Sequence, residues 1–175
     1  MLIKNNNNTF YRLFVILFLI LFSFLSFGQT TTKLSVRGSG KEIPRFVSLK
    51  HDKAYMRKGP SRDHPIEWVY IVKGLPLKVV SEYEVWRKVI DSKGTTGWMH
   101  HTQLSRKRII EVTASNLELR KKPKLDSDII AIAEVGALLK IERCDNTWCR
   151  LSHETFKGWA LRGGYYGLLE NEVPN

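Results

Sequence analysis

Cys144 and Cys149 are the only cysteines in the chain, and Asp145-Asn-Thr-Trp148 separates them. A pair this close supports three chemistries. If the intervening residues turn back as a hairpin, the thiols come from facing strands near its tip and, in an oxidising compartment, close a very short disulfide loop. Two sulfurs with His153 nearby make only part of a metal site, because zinc takes four ligands in a tetrahedron. A nucleophilic thiolate served by His153 is the third chemistry, and it requires Cys149 to be free. The disulfide is the expected outcome. Closing so short a loop removes little unfolded-chain entropy, so its contribution belongs at the low end of about 2–4 kcal/mol.

The other reactive side chains do not assemble into a catalytic set, which needs a nucleophile or activated water, a base and a charge stabiliser in one cleft. His100 and His101 are adjacent, so a strand sends them to opposite faces and a loop leaves both in solvent. His51 and His64 add no metal-ligand spacing. No catalytic residue, cofactor or metal is therefore expected. Arg57 and Arg120 each end a strand just before a turn, where a guanidinium can fork onto loop carbonyls or capture an anion; the first role is expected. The aromatic residues Trp68, Tyr70, Trp86, Trp98, Trp148 and Trp159 are the candidates for ligand binding, since rings in a groove take a peptide or glycan by face contact. If the rings instead fill cores, the Gly-Trp pair members Trp98 and Trp159 are mainly structural, while Trp86 and Trp148, near hairpin tips, are more exposed.

These residues fall into an internal repeat. Met56-Arg-Lys-Gly-Pro-Ser61, Lys73-Gly-Leu-Pro-Leu77, Trp86-Arg-Lys-Val89 and Gly97-Trp98 recur in order as Leu119-Arg-Lys-Lys-Pro-Lys124, Val135-Gly-Ala-Leu-Leu139, Trp148-Cys-Arg-Leu151 and Gly158-Trp159, at offsets drifting from 63 to 61. Each copy reads as short β-rich segments between turns. In the first they are Phe46–Leu49, Val69–Val72, Leu77–Val80, Trp86–Ile90 and Gly97–Met99; in the second Leu117–Arg120, Ile129–Ala133, Leu138–Arg143, Trp148–Ser152 and Gly158–Leu161. The only helix expected is a short turn near Thr102-Gln-Leu104. The stretch Glu67–Val72 is apolar on both faces, Trp68 and Tyr70 against Val69 and Ile71, and Ile130 and Ile132 alternate likewise with Ala131 and Ala133. One face must cover a core. Contact between the copies is expected for the other, with a ligand surface as the alternative, because a unit of roughly 60 residues buries only about 60% of its unfolded surface.

The N-terminal residues 1–28 read as a secretory signal peptide: Lys4 and Arg12, an apolar run from Leu13, then Ser26 and Gly28 before a cut at Gln29. An uncleaved anchor is the alternative, but the run to Phe27 spans 15 residues where a membrane helix needs about 20. Residues 29–45 read as a flexible leader, 46–110 and 111–170 as the two domains, and 171–175 as a tail. Losing Lys4 and Arg12 lowers the formal charge from +11 to +9. Such a charge favours anionic partners. Export takes nucleic acid out of reach and leaves envelope lipid, cell-wall polymer or acidic protein.

With these boxes in view, together with Pro44-Arg-Phe-Val-Ser-Leu-Lys50, Gly94-Thr-Thr-Gly-Trp98 and Cys144-Asp-Asn-Thr-Trp-Cys149, the chain resembles bacterial SH3-like (SH3b) domains, and more closely exported proteobacterial proteins carrying two in tandem. The resemblance covers about residues 43–170. It implies an all-β fold of two small five-stranded barrels and a targeting or binding role in the cell envelope, often beside cell-wall hydrolases. Lys122-Pro123 departs from the Gly59-Pro60 of the first copy, so the second loop and its groove need not match the first. The expected function is a non-enzymatic, periplasmic binding or scaffolding module for a cell-wall peptide or envelope protein. The alternatives are a basic structural protein on anionic envelope lipid, or a hydrolase using Cys149 and His153.

Overall fold

The computed structural model describes residues 38–154 and 156–174. The expected signal peptide and the leader up to residue 37 lie outside the described residues. The chain forms β1 (Arg45–Leu49), β2 (Ala54–Arg57), β3 (Ile66–Tyr70), β4 (Pro76–Tyr83), β5 (Trp86–Ile90) and β6 (Thr96–His100), then a 3₁₀ turn at His101–Gln103 and β7 (Leu104–Ser105). The second copy follows as β8 (Ile109–Val112), β9 (Leu117–Arg120), β10 (Ile129–Ala133), β11 (Leu138–Cys144), β12 (Trp148–His153), β13 (Phe156–Leu161) and β14 (Tyr165–Tyr166). Two antiparallel sheets result, in the orders β3-β2-β6-β5-β4-β1-β7 and β10-β9-β13-β12-β11-β8-β14. The architecture is all-β and duplicated, as expected. Each sheet has seven strands rather than five: beyond the expected segments the first adds β2 and the two-residue β7, and the second adds β8 and the two-residue β14.

Equivalent positions build the two cores. Val47, Leu49, Met56, Leu77, Val79 and Val89 line the first; Ile110, Val112, Leu119, Leu139, Ile141 and Leu151 line the second. The Gly-Trp pairs serve this packing directly. A Cβ on Gly97 would collide with the Met56 side chain and the Arg57 carbonyl, and one on Gly158 with Leu119. Glycine there lets the core residue of the crossing strand approach the backbone, and its neighbour, Trp98 or Trp159, stands on the opposite face.

The contact between the copies differs from the expected one. β3 and β10 are the outer edges of their sheets, so their apolar faces do not meet. The seam is made elsewhere. Phe46 meets Tyr166 edge to face at 4.9 Å, the Tyr166 hydroxyl donates to the Ile90 carbonyl at 2.7 Å, and Ser48 Oγ donates to the Lys107 carbonyl at 2.9 Å. The Gly74 turn lies against Ile109 and Leu138. Burial pushes the Tyr166 phenol up to about 12.

Three boundaries also shift. The first sheet ends at Ser105 and the second begins at Ile109, so the division falls at 106–108 rather than after 110. Residues 38–45 are tied to the first sheet, Ser39 donating to Glu82 through both its backbone N–H and its hydroxyl. Residues 171–174 are no loose tail: Glu172 pairs with Arg108, and the Pro174 carbonyl accepts from the Cys144 N–H.

Candidate binding surfaces

Cys144 and Cys149 face each other across β11 and β12 and are joined in a disulfide with Cα atoms 4.1 Å apart. Asp145 shapes the tip by accepting from the N–H groups of Thr147 and Trp148, and those bonds hold its carboxyl below the usual range. The thiolate that a Cys149–His153 hydrolase requires is thereby tied up. Among the described residues no three of His, Cys, Asp and Glu are grouped to hold a metal ion. The His100 and His101 rings lie 4.8 Å apart, and burial, then the charges of His101, Arg62 and Arg87, push the His100 pKa down.

The two conserved-offset arginines staple their loops. Arg57 Nη1 donates to the carbonyls of Arg62 and His64 at 3.0 and 2.7 Å; Arg120 Nη1 donates to those of Leu125 and Ser127 at 2.7 and 2.8 Å. The substitution of Gly59 by Lys122 therefore does not abolish the second loop. Gly59 is needed for space, since a Cβ there would enter the His64 ring. In the second copy Ser127 stands where His64 does, and its hydroxyl accepts from the Lys122 N–H at 2.9 Å. A smaller residue on one side of the loop accommodates a larger one on the other.

Each Gly-Trp indole sits between cations across both neighbouring strands: Trp98 faces Lys88 and Arg57, and Trp159 faces Arg150 and Arg120. Arg143 also lies over the Trp159 ring, 5.0 Å from its centroid. Both indoles are half-buried. Trp86 and Trp148 reverse the expectation. They are 7% and 8% exposed, because the strands that carry them run through the middle of their sheets, although alternation places them on the same outer face as Trp98 and Trp159; Trp86 packs edge-on against His100 at 5.4 Å. They do not present a binding face.

Trp68 and Tyr70 part company. Tyr70 turns into the core and donates to Asp91 at 2.9 Å, with burial, then that bond, raising its pKa. Trp68 lies opposite fully buried Met56 yet is 53% exposed, because β3 overhangs the open edge of the sheet. Around it Ile66, Val69, Ile71 and Val72 are exposed, and on the second copy Ile129, Ile130, Ile132 and Val135 repeat the arrangement. Each edge strand is paired on one side only, leaving backbone donors and acceptors available beside apolar side chains.

A further cluster escaped sequence reasoning. Glu82 and Arg87 are directly opposed on β4 and β5, at the places Cys144 and Cys149 take on β11 and β12. Arg87 Nε lies 3.0 Å from Glu82, and Arg45 bonds the same carboxylate. Burial alone would raise the Glu82 pKa, but the bonds from Arg45 and Ser39 outweigh it and hold the carboxyl below its ordinary value. The repeat offset that aligns Trp86 with Trp148 also aligns this ion pair with the disulfide, and was the signal available.

The family model described as Bacterial SH3 domain matches residues 50–106 and 113–163. A search of curated proteins finds no match. Among solved structures, an NlpC/P60 family protein from Bacillus cereus ATCC 10987 is 15% identical, with 69% of this chain and 55% of that one covered and a TM-score of 0.32. NlpC1 from Trichomonas vaginalis is 10% identical, with 73% and 47% covered and a TM-score of 0.33. The chain thus spans about half the length of these structures.

Proposed function

This chain belongs to the bacterial SH3 domain family, carrying the domain twice, and from that membership we propose a non-enzymatic, exported binding or scaffolding module of the cell envelope that recognises a cell-wall peptide or a partner protein. The observation that carries the reading is the pair of open edge strands, β3 and β10, with exposed apolar side chains at Trp68 and Val69 and at Ile130 and Ile132. An extended peptide can add to such an edge through main-chain hydrogen bonds, while alternate side chains enter apolar contacts. The cations flanking Trp98 and Trp159 favour a ligand carrying carboxylates. The disulfide supports a non-catalytic role, since it leaves Cys149 without a thiol to ionise. Export rests on the N-terminal sequence, and an oxidising compartment agrees with the paired cysteines.

The test is retention of the purified chain on isolated cell wall, with tryptophan fluorescence as the second readout. Wild-type protein is expected to bind and to change its emission. Trp68→Ala combined with Ile132→Ser is expected to lower affinity about 30-fold or more, the scale of an aromatic hot spot. Its unfolding midpoint should stay close to wild type, because both side chains are exposed. Absence of retention and of any fluorescence change would defeat the wall-binding reading. Binding that vanishes at a few hundred millimolar salt would point to anionic lipid or polymer held by charge alone.

A further inference from the structure

A cavity of about 280 Å³ opens on the first barrel, lined by Lys41, Arg45, Arg87, His101, Leu104 and Arg106 among others. Its chemistry is cationic. Arg45 and Arg87 share one carboxylate, that of Glu82, while Lys41 and Arg106 bring two further charges to the rim. Arg87 is only 8% exposed, with Nη1 donating to the carbonyls of Glu84 and Trp86 at 2.8 and 2.9 Å. Its pKa is lowered, first by burial, with attraction to Glu82 opposing and repulsion from Arg45 adding. The sheet architecture does not dictate an ion pair at these positions. The second copy puts a disulfide at the same two cross-strand positions and builds the same sheet.

The second copy also shows what fills the equivalent space. Arg108 corresponds to Arg45, preceding the same strand residue on the sheet, and Arg162 corresponds to His101, each donating its N–H to the carbonyl just before the equivalent tryptophan. There the segment after β14 folds back. Glu172 forks both carboxylate oxygens onto Arg108; Arg162 donates to the carbonyls of Leu169, Glu170 and Glu172 at 3.1, 2.7 and 2.9 Å; and the Cys144 N–H donates to Pro174. An acidic peptide is thus clamped in cis. Among the described residues the first copy has no such segment after its last strand, because only three residues separate Ser105 from β8. Among the described residues Ser39 bonds Glu82 and lines the rim with Lys41.

We infer that the pocket of the first barrel receives, in trans, a carboxylate-bearing peptide segment of another protein, held as the second barrel holds Glu172 of its own chain. Charge selects the ligand: several cations surround a single shared carboxylate, and guanidinium forks match an incoming carboxylate in two parallel hydrogen bonds. A second copy's terminal segment is not the occupant, since its hydrogen bonds in cis would have to break first. The pocket and the apolar edges lie on different strands, so this site does not depend on the wall-binding reading and the two fail independently.

The probe is the heptapeptide Leu-Leu-Glu-Asn-Glu-Val-Pro, copying residues 168–174, titrated into the full purified chain at constant ionic strength and followed by amide chemical shifts. Shifts are expected at Arg45, Arg87, Leu104 and Arg106. Replacing the second glutamate of the peptide by glutamine is expected to weaken binding about tenfold, the scale of a charge-assisted hydrogen bond. The exposed substitutions Lys41→Ala and Arg106→Ala are each expected to weaken binding several-fold with the unfolding midpoint unchanged. Equal affinity for the glutamine peptide, insensitivity to both substitutions, or shifts confined to the second barrel would overturn the inference. So would the same shifts arising without peptide as protein concentration rises, since a second copy would then be the occupant.

Discussion

Gly59 and Gly97 look alike in sequence, each beside a loop or strand end, but the tertiary structure assigns them different costs. The Gly59 Cβ would strike the exposed His64 ring, which is held only by a 3.1 Å bond to Ser61 Oγ and can swing away. Gly59→Ala is therefore expected to cost about 1 kcal/mol, the worth of that local contact, and the double variant Gly59→Ala/His64→Ser to recover most of it. Gly97→Ala meets fully buried Met56 and the Arg57 backbone, neither of which can leave, and is expected to cost about 1–3 kcal/mol or more. Urea unfolding of the three variants checks both statements; equal losses for Gly59→Ala and Gly97→Ala would contradict them. Sequence reasoning recognised the Gly59/Lys122 difference but not its remedy, because the compensating pair His64/Ser127 is close only once the arginine has folded the loop. The arginine staples themselves were legible, since position at a strand end before a turn already limits what a guanidinium can reach.

The hairpins β4–β5 and β11–β12 solve one structural problem in two ways. At the same cross-strand positions one has a buried ion pair and the other a disulfide. The covalent version closes a very short loop, so Cys144→Ala/Cys149→Ala is expected to destabilise the second barrel by about 2 kcal/mol without unfolding the first. Residue-resolved hydrogen exchange separates the two barrels, and protection lost equally in both would refute the assignment. The ionic version is the one with spare charge to offer a ligand. The strand series was largely readable from alternation and turn residues, as was the short helical turn, found one residue early at His101–Gln103. The two-residue strands β7 and β14 were not, since so short a strand has no period and exists only by pairing with β1 and β8. The burial of Trp86 and Trp148 was also hidden: being near a hairpin tip suggested exposure, whereas membership of a central strand imposed burial.

At the scale of the whole molecule, two carboxylates tie distant segments together: Glu82 binds Arg45 and Arg87, and Glu172 binds Arg108. Burial opposes ionisation of each, but the arginine bonds prevail and both pKa values fall below the ordinary 4.5. The unfolded chain therefore takes up these protons first as pH drops. Their contribution is complete above about pH 4.5 and disappears as pH falls through the lowered folded values. The thermal midpoint is expected to fall between pH 5 and pH 3, and Glu172→Gln to flatten that slope while lowering stability at neutral pH; an unchanged slope in the variant would contradict the linkage. Order, number and kind of the building units were settled by the amino-acid sequence alone, because periodicity, turn residues and a repeat at nearly constant offset are local properties that survive without any fold. Which surfaces meet was a tertiary decision. The sheets join through β1, β5 and β14 and leave β3 and β10 at the outside, because apolar strands of similar character compete for the same burial and only the three-dimensional register determines which of them obtain it.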